Sequence, residues 1–256
     1  MIEHLLQPLV SEKFLNDPHY GEGHLRIINA LPSRRVLGVH IPDMKKVARE
    51  LFRQGDSVEI IRRFEQTPSE TLVYEEMVVW GFLINMQKLS LDQRLAMTAR
   101  FVPAMDNWAV CDCWCSNAKW MARADKTVLW EFLTPYFSSA REFEVRFAVI
   151  SAMCYFLNEV WLDKIFEKLN ALDFSRIKSE YKTVKGKPET VQEGSVQGAA
   201  PYYVRMGVAW LLATALAKFP DRTRRFANSS QLPDDVIRLY VRKARESFRT
   251  RTINAL

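Results

Sequence analysis

Four cysteines, four histidines, nine glycines and eleven prolines are thin provision for a chain of 256 residues. With so few Gly and Pro, most segments are filled by Leu, Ala, Arg, Lys, Glu, Met and Trp, which favour helix over sheet. The predicted fold class is therefore all-α. No apolar run approaches the roughly 18 residues of a membrane span, and no secretory apolar segment follows Met1. Together with the sparse cysteines this predicts a soluble, cytoplasmic protein with reduced thiols. The chain has no GxGxxG, no phosphate-binding loop, no HExxH and no GxSxG, and its scattered histidines argue against a metallohydrolase. Cys111, Cys113 and Cys115 alternate, so a helix brings 111 and 115 together and turns 113 away. No His stands near, and small buried thiols explain them better than a metal. No cofactor or metal is expected.

What is present is apolar and basic. Hydrophobic residues make up 48% of the chain, enough to bury a sizeable core, and the net charge is +6. Four segments share a pattern: YEEMVVWGFLINM (74–86), NWAVCDCWCSNAKW (107–120), EVRFAVISAMCYFL (144–157) and YVRMGVAWLLATAL (203–216). If Met77, Cys111, Phe147 and Met206 are equivalent, the spacings are 34, 36 and 59 residues. The third spacing contains residues 178–200, a polar stretch read as an inserted flexible loop. Subtracting about 20 residues for it restores a period near 40, the size of a two-helix HEAT-like repeat. Shorter amphipathic segments at 43–55, 127–137 and 160–172 fit as outer partners of the apolar helices. The expected architecture is an α-solenoid of HEAT-like repeats, one domain over 1–256, with a concave basic groove and a polar closing segment from Asp221 to Leu256.

Several residues stand out, each with a bland alternative. Trp108 and Asp112 lie one helical turn apart: either an exposed acid beside a core-edge indole, or a carboxylate kept to stabilise a nearby cation. Arg146 sits among Phe143, Val145, Phe147, Val149 and Ile150, either reaching a groove edge or meeting a carboxylate or phosphate. Arg205 is its repeat equivalent, so a structural role common to the repeats is open. Trp210 fits a core position, while Tyr202 and Tyr203 add rings that could line a wall for a base or ribose. Basic residues recur at Arg34-Arg35, Lys45-Lys46, Arg62-Arg63 and in the last helix at Arg242, Lys243, Arg245, Arg249 and Arg251. Such a series is either a solvated face or a stripe that tracks phosphates.

Taken together, RVLGVHIPDMKKVAREL (35–51), NWAVCD (107–112), YYVRMGVAWLL (202–212) and KARESFR (243–249) resemble, in order, elements of the DNA alkylation repair family of AlkD-type, HEAT-like DNA glycosylases. The resemblance implies a monomer that binds double-stranded DNA in a concave groove and excises cationic N-alkylated purines such as 3-methyladenine and 7-methylguanine, as in base excision repair. It places the family's catalytic aspartate on Asp112, its two site tryptophans on Trp108 and Trp210, and its site arginine on Arg146. Arg146 would then hold a phosphate or orient Asp112. DNA contacts are expected from His40, Lys45, Lys46, Tyr203, Arg205, Arg242 and Lys243. His40 stands where the family commonly has Arg. A second reading is a non-catalytic HEAT-like module that binds DNA structure or a protein through the same groove.

Overall fold

YEEMVVWGFLINM is apolar around its whole circumference, and a helix of that kind has to be enclosed by others. In the computed structural model every residue from Tyr74 to Ile84 is buried. The structure describes residues 1–184, 187–190, 196–197 and 201–256, and the chain divides into two compact units, Met1–Ala124 and Asp125–Leu256.

The first unit holds α1 (Glu3–Leu6), α2 (Glu12–Asn16), α3 (Pro18–Ile28), α4 (Ile41–Gln54), α5 (Ser57–Gln66), α6 (Tyr74–Met86), α7 (Leu91–Phe101) and α8 (Trp108–Asn117). α6 is its centre, packed against α4, α5, α7 and α8. Trp80 of α6 stacks on Phe64 at 5.6 Å and meets Phe101 edge-on at 4.8 Å, joining α5, α6 and α7. The 43–55 segment, expected as an outer partner of an apolar helix, forms most of α4 and packs along α6. The cause is its stripe of Met44, Ala48 and Leu51, which recurs at helical spacing and is wholly buried. Two buried carboxylates fasten the start of α6. Glu75 accepts the successive N–H groups of Leu37, Gly38 and Val39 at 2.9 to 3.3 Å. Gly38 makes this turn possible, because its φ of 95° is disfavoured for a residue with a Cβ. Glu76 accepts from Val73 N–H and from the Met1 ammonium at 2.6 Å.

The second unit holds α9 (Lys126–Phe137), α10 (Glu142–Tyr155), α11 (Leu162–Asn170), the short strands β1 (Lys178–Ser179), β2 (Tyr181–Val184), β3 (Lys187–Thr190) and β4 (Val196–Gln197), then α12 (Tyr202–Lys218), α13 (Pro220–Ser229) and α14 (Asp234–Glu246). α12 packs against α10, α13 and α14, and α9 packs against α10. Trp130, Phe156 and Trp161 form an aromatic cluster with ring centroids 5.1 to 5.3 Å apart. The closing basic helix, α14, turns Val236, Tyr240 and Ala244 inward.

Both units are helical, and among the described residues the named strands are confined to the span from Lys178 to Gln197. The 178–200 segment was expected as a flexible polar loop. Its described part pairs as two antiparallel ribbons, β1 with β4 and β2 with β3. Residues 185–186, 191–195 and 198–200 lie outside the described residues. The departure has a physical cause in one aromatic: Tyr181 is fully buried, its ring against Phe143 at 6.0 Å and Tyr203 at 4.9 Å. One ring of that size supplies enough apolar area to dock an otherwise polar ribbon.

Candidate functional site

In the first unit the opening turn of α8 is built by Asn107. Its side-chain oxygen accepts Ala109 N–H at 2.8 Å, which caps the helix, and its amide nitrogen donates to the Ile28 carbonyl at 2.9 Å. Asn29, with a φ of 50°, ends α3 beside it. Trp108 reinforces the same junction, donating its indole N–H to the carbonyls of Ile28 at 3.0 Å and Ile27 at 3.2 Å. The polar edge of Trp108 is thereby committed to backbone, and the half-buried ring is oriented by it. Asp112 follows one turn later on α8 and is half-buried.

Three cysteines share α8 with Asp112. Cys111 and Cys115 are buried and outside any disulfide. Burial pushes the Cys113 thiol up to about 12, with the charge of Asp112 adding and that of Lys45 opposing. The Cys113 thiol is therefore protonated near neutrality. Among the described residues no group of three or more His, Cys, Asp and Glu side chains could hold a metal ion.

In the second unit Arg146 is 4% exposed. It donates from Nη1 to the Tyr203 carbonyl, and its guanidinium lies 5.9 Å from the centre of the Tyr203 ring. Gly207 leaves room for it: a Cβ there would stand 3.4 Å from Arg146 Nη1. Trp210, on the same helix α12, is 41% exposed. The pattern-based alternative of a core tryptophan is thus corrected for Trp210, whose indole meets solvent while its neighbours Ala209 and Leu211 are buried.

The residues expected to meet DNA fall into three groups. Tyr203 is buried among Phe143, Tyr181 and Tyr202, so its side chain serves packing and Arg146 rather than a wall open to a base. Lys45 and Arg205 are half-buried and engaged: Lys45 donates to Asn117 at 2.6 Å, and Arg205 pairs with Asp235. Lys46, Arg242 and Lys243 are more exposed, in helix-surface pairs with Asp43 and Glu246. Pairs of that kind exchange readily with solvent. His40 precedes α4, half-buried, with Tyr20 Oη 3.5 Å from its Nε2 and His24 edge-on at 5.9 Å. Partial burial, and then the neighbouring His40, hold the His24 imidazole below its usual range.

Of the wider basic series, Arg34 is a correction. It is buried, paired with Asp106 at 2.5 Å, and donates to the carbonyls of Ser69 and Leu72, which makes it a strut for the loop before α6. Arg62 and Arg63 both pair with Glu59 on the surface of α5. Reasoning from the sequence passed over Asn107, Glu75 and Glu142. For Asn107 the signal was legible, since an Asn directly before an apolar helical run is a cap. For the two glutamates no local pattern announces that the carboxylate turns inward.

The chain matches, over residues 15–174, the model of a family described as DNA alkylation repair enzyme. Neither a curated protein nor a solved structure matches it. The matched span is more than half of the chain and includes Trp108, Asp112 and Arg146.

Proposed function

The chain belongs to the DNA alkylation repair enzyme family, and from that premise we propose that it is a DNA N-glycosylase excising cationic N-alkylated purines, with Asp112 as the catalytic carboxylate. The observation that carries this reading is the construction at the start of α8. There a capped helix and a backbone-bound indole hold an aromatic face and a carboxylate one turn apart.

A purine alkylated on a ring nitrogen already carries positive charge and leaves without much acid assistance. As the C1′–N bond breaks, its electron pair goes to the purine and positive charge develops on the deoxyribose. A carboxylate held beside that sugar stabilises the cation and takes the proton of the water that adds to C1′. Indole faces attract positive charge, a property that Trp108 offers in the first unit and the exposed Trp210 in the second. Arg146, fixed by Tyr203, supplies a permanent positive charge suited to a phosphate beside the lesion. A HEAT-like arrangement is supported within each unit by its row of packed helices, α4, α6 and α8 in one and α10, α12 and α14 in the other. The reading also implies that neutral lesions such as uracil are not released, because their leaving groups lack the charge this chemistry relies on.

The test is release of 7-methylguanine from methylated duplex DNA by the wild type and by Asp112→Asn. The expected result is release by the wild type and a rate lowered roughly 100-fold or more in the variant, with DNA affinity retained. Equal rates for the two proteins would remove Asp112 from the chemistry. Retained DNA binding with no release by either would leave a non-catalytic DNA-binding module.

A further inference from the structure

Glu142 and Arg146 stand one turn apart on α10 and hold the same residue of α12. Glu142 Oε1 accepts the N–H of Tyr203 at 2.7 Å and that of Val204 at 3.4 Å, while Arg146 donates to the Tyr203 carbonyl. A third element joins at the other carboxyl oxygen, Oε2, which pairs with the Ser179 hydroxyl of β1. Ser179 Oγ in turn lies 2.8 Å from the Tyr181 carbonyl and accepts Tyr181 N–H at 3.0 Å. Glu142 is 3% exposed and Ser179 is 1% exposed, so water does not replace these partners.

A serine hydroxyl has one proton, and here that proton has two acceptors. With Glu142 ionised, Ser179 donates to Oε2. With Glu142 protonated, Oε2–H donates to Ser179 Oγ and the serine proton turns to the Tyr181 carbonyl. The ribbon therefore satisfies the carboxyl in both forms without moving a heavy atom.

We propose that Glu142 is a positioning residue for Arg146, acting by a latch on the first turn of α12 that Ser179 allows to persist in two protonation states of different strength. The ionised form is the stronger grip, because bonds from N–H to a carboxylate are roughly twice as strong as those to a neutral acceptor. Its charge also draws on the guanidinium of Arg146. Two further observations fit. Burial raises the Glu142 carboxyl to about 7 against the pull of Ser179, the Tyr203 and Val204 amides and Arg146, so both forms are populated near neutrality. The charged groups facing it are Arg146 on its own helix and Arg205 on α12, whose guanidinium feels the Glu142 charge. The consequence for catalysis rests on the glycosylase reading above, in which Arg146 serves the DNA. The latch itself does not.

Glu142→Gln copies the protonated form, since its carbonyl accepts Tyr203 N–H and its amide donates to Ser179. Single-turnover release of 7-methylguanine is compared between the two proteins from pH 6 to 8.5. The expected result is near-equal rates at pH 6 and a wild type faster by roughly 5-fold at pH 8.5. A ratio that stays constant with pH overturns the positioning role. The amide resonances of Tyr203 and Val204 give a readout independent of activity and of the variant's folding. In the wild type they titrate together near neutrality, and Ser179→Ala displaces their midpoint. Amides that do not respond overturn the latch even in an active enzyme. Amides that titrate in a protein that releases no base sustain the latch and sink the glycosylase reading.

Discussion

At the scale of single residues, the buried carboxyl of Glu142 links pH to stability with a definite sign. Its folded value is raised to about 7 from an ordinary glutamate value, so the folded protein binds a proton more tightly than the unfolded chain. The stabilisation this represents is fully present below the unfolded value and is lost as pH rises through about 7. Glu142→Gln has no such titration. Its Tm relative to wild type is expected to move in the variant's favour as pH is raised from 5 to 8, and parallel Tm curves would contradict this. The ionised form is thus the weaker for global stability and the stronger for the local grip, because desolvation of the charge and its hydrogen bonds act on different references. Trp210 makes the opposite case, a large apolar residue facing solvent. Trp210→Ala is expected to change stability by less than about 1 kcal/mol and to weaken binding to lesion-containing duplex by roughly 5-fold. A Tm loss of many degrees with unchanged affinity would return Trp210 to a packing role.

At the scale of elements, α8 shows how a helix is set by the first residue outside it. Asn107 both caps α8 and ties it to the last carbonyls of α3. Asn107→Ala is expected to cost about 2 kcal/mol in chemical unfolding, from the lost cap and the unsatisfied carbonyl. Asn107→Asp separates the two roles. It keeps the acceptor for Ala109 but turns a negative charge toward the Ile28 carbonyl, so stability close to wild type would refute the tie between the helices. The identity of α6, α8, α10 and α12 as helices was legible from their apolar runs, and the Trp108 to Asp112 spacing from helical geometry. The neighbour that α4 packs against was not, because an amphipathic stripe states that one face is covered and not by what. The ribbon formed by 181–184 and 187–190 was missed for a related reason. Its residues are polar by composition, and only the burial of Tyr181 against α10 and α12 gives it a place.

At the scale of the whole molecule, a net charge of +6 favours a polyanion, yet many of its cations are already engaged in pairs. Those on exposed helix surfaces, Lys46, Arg242 and Lys243, can exchange a carboxylate for a phosphate. Replacing Arg242 and Lys243 together by Ala is expected to lower the slope of log affinity against log salt by roughly 2, one counterion for each charge. An unchanged slope would place the DNA contacts elsewhere. No helix among the described residues is long and apolar enough to cross a membrane. The amino-acid sequence by itself determined the helical class and the family, because periodicity and motif spacing are properties of the chain. Only the tertiary structure decided which of its ionisable groups are buried struts and which stay at the surface. Arg34 and Arg35 are neighbours with the same side chain, but one is buried against Asp106 and the other is exposed beside Glu3. Glu142 and Tyr203 stand 61 residues apart, and the bond that joins them exists only once α10 and α12 have packed. Burial and pairing belong to contacts between distant segments, and these set the charge and orientation that a side chain finally presents.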